Sequence, residues 1–171
     1  MILAIDPGST ESGYVLLDMN LKPIEKGKIE NKSLLEDIKS DRFWYNSYDD
    51  EDHIAIEMIA SYGMAVGREV FETCVWIGRF IQAIPNGIEP KYIYRKDEKL
   101  NICQSMKAND ATIKQALVDR FAYRTGNHGK GSKKEPGWFY GFKSDIWAAY
   151  AVGITYHDMY IKPNEIKKEG K

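Results

Sequence analysis

Sulfur and imidazole are scarce in this chain, with two cysteines and three histidines among 171 residues. Cys74 and Cys103 fit no CxxC or zinc-ligand spacing, so both are expected as buried, reduced thiols rather than as a disulfide. His53 and His157 have no partner at ligand spacing, and nothing near His128 would orient it as a base. Also missing is any apolar run close to the ~20 residues that cross a bilayer, so no membrane association is expected. Met1 leads directly into MILAID without the basic and small-residue signature of a secretory leader, which points to the cytoplasm. Net charge is nearly absent too, at −1. Spread evenly, that balance would argue against a polyanionic partner.

The charge is not spread evenly. Residues 1–90 hold 8 Lys/Arg against 16 Asp/Glu, whereas residues 91–134 hold 11 against 4. A near-neutral total therefore hides a basic segment of the kind a phosphate-binding face requires. A solvated surface with acidic and basic ends is the plain alternative. The length suits one domain, expected over residues 1–160, followed by a charged tail over 161–171.

The first apolar run, ILAID, ends at Asp6-Pro7-Gly8 and predicts a buried strand entering a turn. Residues 12–18 and 23–30 predict two more strands in an antiparallel meander. Ser33 followed by Glu36 is a capping-box signature and predicts a helix over 33–43. An acidic loop at 49–52 precedes IAIEM, the fourth strand. Apolar residues at helical spacing, including Val70, Cys74, Ile77 and Ile81, predict a helix from about 67 to 84 that stops at Pro85-Asn86-Gly87. KYIY is a fifth strand, residues 108–123 a helix capped by Asn109 or Asp110, and residues 144–160 a final helix. The Gly- and Lys-rich run 125–137 is expected to be mobile. Three strands followed by alternating helix and strand make an α/β fold with a mixed sheet flanked by helices.

Three acids sit where an acid is awkward. Asp6 ends an apolar strand, Glu57 lies inside IAIEM, and Asp145 opens a helix that continues Ile-Trp-Ala-Ala-Tyr-Ala-Val. Carboxylates beside a core carry a desolvation cost unless paired or bound to a cation. Singly, each has an ordinary reading as a turn residue, an edge-strand acid or a helix N-terminal acid. Together they favour an oxygen-rich site suited to Mg²⁺ or Mn²⁺.

The strand–turn–strand IDPGSTESGYVLLD, the strand IAIEM and the helix SDIWAAYAVGITY, in that order, resemble the RuvC family of Holliday junction resolvases, within the RNase H-like superfamily. The resemblance runs from Ile2 to about Tyr156. It implies a five-stranded mixed sheet, three strands antiparallel and then parallel, flanked by helices. It further implies a Mg²⁺- or Mn²⁺-dependent endodeoxyribonuclease with two ions per site, acting on four-way junctions as a homodimer. Asp6, Glu57 and Asp145 match catalytic, metal-binding positions of that family. The fourth position falls three residues after Asp145, on the same helix face, and holds Ala148. Shifting the register so that Asp145 takes the fourth position puts Phe142 in the third, which cannot ligate a metal. An alanine in an otherwise intact motif implies a site with strongly impaired cleavage and retained DNA binding.

DNA contacts are expected mainly at phosphates, from Arg68, Lys107, Lys114, Lys130, Lys133 and Lys134. The aromatic run Trp138-Phe139-Tyr140 is either core or a stacking platform for unpaired bases. GNHGKGS resembles a phosphate-binding loop, but Ser132 stands where that motif needs Lys and no strand feeds it. A sugar-kinase or chaperone-type ATPase begins with a similar strand turn but needs two such lobes. The closer rivals are a less selective branched-DNA or flap endonuclease and a non-catalytic junction-binding protein.

Overall fold

The computed structural model describes residues 1–40, 42–44, 52–61, 63 and 65–163. Most of the expected acidic loop and the end of the tail therefore lie outside the described residues. Five strands form one sheet: β1 Ile2–Asp6, β2 Glu11–Leu17, β3 Pro23–Glu30, β4 His53–Met58 and β5 Lys91–Tyr94. Their spatial order is β3-β2-β1-β4-β5. β1 to β3 pair antiparallel, and β4 and β5 add in parallel to β1. This is the five-stranded mixed α/β sheet expected from the sequence.

Helices cover both faces, which is why Ile2 to Ile5 are wholly buried and read as a continuous apolar run instead of an alternating one. On one face α1 Asn31–Lys39 and α2 Arg68–Ala83 pack over Leu3, Ile5, Ile54 and Ile56. On the other, α5 Ser144–Tyr156 lies against β1 and β2, with α3 Arg95–Cys103 and α4 Asp110–Phe121 beside it. The small side chains Ala149 and Ala151 are completely buried there. They let the α5 backbone come close to the sheet. A π turn, His157–Ile161, continues α5.

Several elements differ from expectation. α1 starts two residues early, and Ser33 makes no cap. Asn31 fixes the start instead: its amide donates to the Gly8 carbonyl (2.9 Å) and its Oδ1 accepts from Ser12 Oγ (2.6 Å). α3 is absent from the sequence reading, because RKDEKLNIC is mostly charged and shows little apolar periodicity. Asp97 reaches back to the Tyr94 N–H to start it (3.1 Å), and Gln104 in the left-handed region ends it. Asn109 caps α4 as expected, accepting from Thr112 N–H at 3.0 Å.

The run 125–137 is a tightly bonded turn, not an open loop. Gly137 N–H donates to the Lys130 carbonyl, Phe139 N–H to Gly129 and Ser132 N–H to Glu135, all near 3.0 Å. Gly129 has φ 72°, and a Cβ there would lie 2.4 Å from that of Ala122, so the turn is seated on α4. Cys74 is exposed and Cys103 half-buried, so neither is the enclosed thiol expected. On α2 the inward residues are Thr73, Ile77 and Phe80, which leaves Cys74 pointing away.

Candidate active site

One row across the sheet carries the charged side chains. Register pairs Asp6 with Gly13 and Gly13 with Lys28, so all three share the sheet face that α5 covers. Parallel pairing of Ile5 with Ile56 brings Glu57 to the step beside Asp6. Gly13 is the gap in this row. A Cβ there would lie 2.5 Å from the Asp145 carbonyl oxygen, so the first turn of α5 rests directly on the bare backbone. Asp145 is thereby held above Gly13, between Asp6 and Lys28.

The three expected acids do not behave alike. The Asp6 and Glu57 carboxyls lie within hydrogen-bonding reach of each other. Burial, then the Glu57 charge, pushes the Asp6 carboxyl up to about 8. Asp145 goes the other way: its Oδ2 accepts from Lys28 Nζ at 2.7 Å, and that ammonium holds its carboxyl below the usual range. Lys28 also reaches Glu11, at 3.4 Å. Ala148, one turn after Asp145, lines a cavity together with it and offers only a methyl group.

A further acid was not legible in the sequence. Glu98 of α3 is fully buried. Its Oε2 bonds Arg95, and its Oε1 has no hydrogen-bond partner among the described residues. Burial first, and then the Glu57 charge, raise its carboxyl to about 8 against the pull of Arg95. Arg95 bridges onward to Asp110 at the start of α4. The sequence signal is faint, since Glu98 lies within RKDEK, where every neighbour suggests solvent.

Above the acids lies a cavity of about 580 Å³, open to solvent and rimmed by Arg95, Lys114, Lys130 and Lys143. Of the six cations expected to bind DNA, Lys114 and Lys130 face this cavity. Lys114 also lies 5.4 Å above the Trp147 ring. Arg68, Lys107, Lys133 and Lys134 lie outside the cavity and are exposed. Arg68 is paired with Glu72 at 2.6 Å. Arg95 and Lys143 are rim residues that the sequence reading missed. Phe139 is wholly buried, and Trp138 stacks on Phe121 and donates to Tyr150 Oη at 3.0 Å. Those two rings are core, and only Tyr140 of the aromatic run is exposed.

No group of three or more acids or other ligating side chains closes on one point among the described residues. The donor set nevertheless fits a hard divalent cation. Asp6 and Glu57 are neighbouring carboxyls with no ion pair among the described residues, and a divalent cation between them would offset the burial and charge repulsion that raise Asp6.

The order of strands and the placement of helices define an RNase H-like fold. Among solved structures, Thermus thermophilus RuvC is similar, at TM-score 0.60 and 14% identity over 94% of this chain and 96% of that one. T. thermophilus RuvC in complex with a Holliday junction substrate is similar at TM-score 0.57 and 15% identity, over 95% of each chain. The chain thus has the RuvC fold over nearly its whole length. No family model and no curated protein matches its sequence.

Proposed function

We propose that this chain is a junction-binding protein built on a divalent-metal-dependent endodeoxyribonuclease, with cleavage strongly impaired at Ala148. The observation that carries this reading is the acid row of Asp6, Glu57 and Asp145 beneath a rim of Arg95, Lys114, Lys130 and Lys143. Carboxylates on the floor and cations on the rim suit a phosphodiester: the rim holds the phosphate charge, and the floor holds what must attack it. Bound at Asp6 and Glu57, Mg²⁺ or Mn²⁺ would supply an acidified water and charge neutralisation at the phosphate.

The protein's own groups do the positioning. Lys114 and Lys130 bind phosphate oxygens, and the packed Trp147 ring fixes the Lys114 stem. Asp6 is only partly buried, at the floor of the open cavity. Gly13 sets the height of Asp145 above the sheet. An intact site of this design takes two ions, and Ala148 removes one carboxylate from the position of the second. Arg68, Lys107, Lys133 and Lys134 lie outside the cavity, where they would meet DNA arms away from the reacting phosphate.

A twofold junction calls for a twofold protein. Phe71, Cys74, Val75 and Gly78 form an exposed stripe at helical spacing on α2, with Phe71 and Val75 each about 60% exposed (61% and 63%). Large apolar side chains left bare on one helix face support a homodimer through α2. Binding is tested by titrating the unaltered protein onto four-way, flap and duplex DNA of equal length. Tighter binding to the four-way substrate supports the reading. Equal affinity for all three would favour a general branched-DNA or duplex binder.

A further inference from the structure

The two halves of the acid row differ in whether a cation of the protein already stands against them. Lys28 Nζ lies 2.7 Å from Asp145 Oδ2. This contact follows from the register. Lys28 stands opposite Gly13 on β3, and Gly13 is the position that lets Asp145 settle between Lys28 and Asp6. The cleft under the β1–β2 turn is lined by Asp6, Lys28 and Asp145 together. With a methyl at Ala148, a divalent ion arriving beside Asp145 finds one carboxylate fewer and an ammonium in its way. Asp6 and Glu57, at the other end of the row, have neither obstacle.

We infer that Lys28 is an internal counter-cation that neutralises the Asp145 side of the site, leaving this chain one divalent-cation position, at Asp6 and Glu57. The inference rests on the metal-site reading proposed above. Lysine supplies a single charge on a flexible stem and cannot polarise a bound water as a divalent ion does. It therefore keeps Asp145 in place and the row charge-balanced without restoring two-ion chemistry. Like charges repel, so Lys28 also opposes entry of a second ion even where a carboxylate is restored at position 148.

The test is a Mn²⁺ titration, followed by calorimetry and by the spin-resonance signal of free Mn²⁺, on the unaltered protein, Ala148→Asp, and Ala148→Asp combined with Lys28→Met. The unaltered protein should take up one Mn²⁺ per chain, lost in Asp6→Asn. The second ion in the Ala148→Asp background should bind roughly tenfold tighter once Lys28 is Met. Lys28 is half exposed, and matching circular dichroism checks that its replacement leaves the fold intact. Two equivalent Mn²⁺ ions on the unaltered protein, or a second-ion affinity indifferent to Lys28→Met, would overturn the inference while leaving the metal site standing. No saturable Mn²⁺ on any variant would overturn both.

Discussion

The two halves of the acid row have the same chemistry and opposite surroundings. Asp6 and Glu57 sit near strand ends under helices, close enough for the Glu57 charge to act on Asp6, and no cation is within ion-pair reach among the described residues. Asp145 stands at a helix start, about a third exposed, with Lys28 against it. Burial raises the proton affinity of Asp6, whereas an ammonium lowers that of Asp145. On the proposed reading, the contrast separates a half that gains most from a metal ion from a half that Lys28 already pairs.

Substitution separates the halves most sharply when activity is the readout. In an Ala148→Asp background, Asp6→Asn should reduce cleavage by roughly a thousandfold. Lys28→Met in the same background should preserve cleavage and lower the Mg²⁺ needed for it. Steady-state rates across a Mg²⁺ series distinguish the two. If both variants lose activity equally, the two halves act as one unit and the comparison fails.

Acidity gives a second contrast. A carboxyl that holds its proton more tightly when folded contributes stability below the ordinary carboxylate range and loses it as pH rises. The metal-free protein should therefore lose stability as pH rises toward about 8, the value to which Asp6 is pushed. Mn²⁺ should then raise the melting temperature by about 5 °C or more at the top of that window and little at pH 5. Asp6→Asn should reduce the pH dependence to the share that Glu98 contributes and abolish the Mn²⁺ gain, as read by thermal melts with and without chelator.

The rim should respond more modestly than the floor. Replacing Lys114 and Lys130 together by Gln should weaken junction binding about tenfold and reduce the salt slope by about two charges. Smallest of all is the effect of Asp145→Asn on stability. Its partner Lys28 is half exposed, so solvent screening keeps the loss small. The carboxyl is held below its usual range, so that contribution is present at neutral pH and disappears only as pH falls through the lowered value. Urea melts at pH 7 and pH 3 measure both.

Much of this site was legible before any coordinates, for a physical reason. Asp6, Glu57 and Asp145 interrupt apolar runs, and an acid in such a run stands out. Lys28 lies in PIEKGKIE, where alternating charge suggests an edge strand facing water, and nothing local reveals that Gly13 opens space for Asp145 opposite it. Glu98 and α3 were hidden for a related reason. A charged stretch carries no apolar periodicity, so neither its helix nor its one fully buried carboxylate can be separated from exposed neighbours. Turn 125–137 was misjudged because glycine content signals freedom in sequence, while Gly129 uses that freedom to close a fixed turn against Ala122.

On the proposed reading, the acid row is a nuclease site short of one carboxylate at position 148. The most direct test of that reading compares Mg²⁺-dependent cleavage of four-way, flap and duplex DNA by the unaltered protein and by Ala148→Asp. Nearly uncut DNA is expected from the first, and paired, symmetric nicks in the four-way junction from the second, at least roughly a hundredfold faster. Equal and vigorous cutting by both proteins, or no cutting by Ala148→Asp on any substrate while it still binds junctions and Mn²⁺, would contradict it.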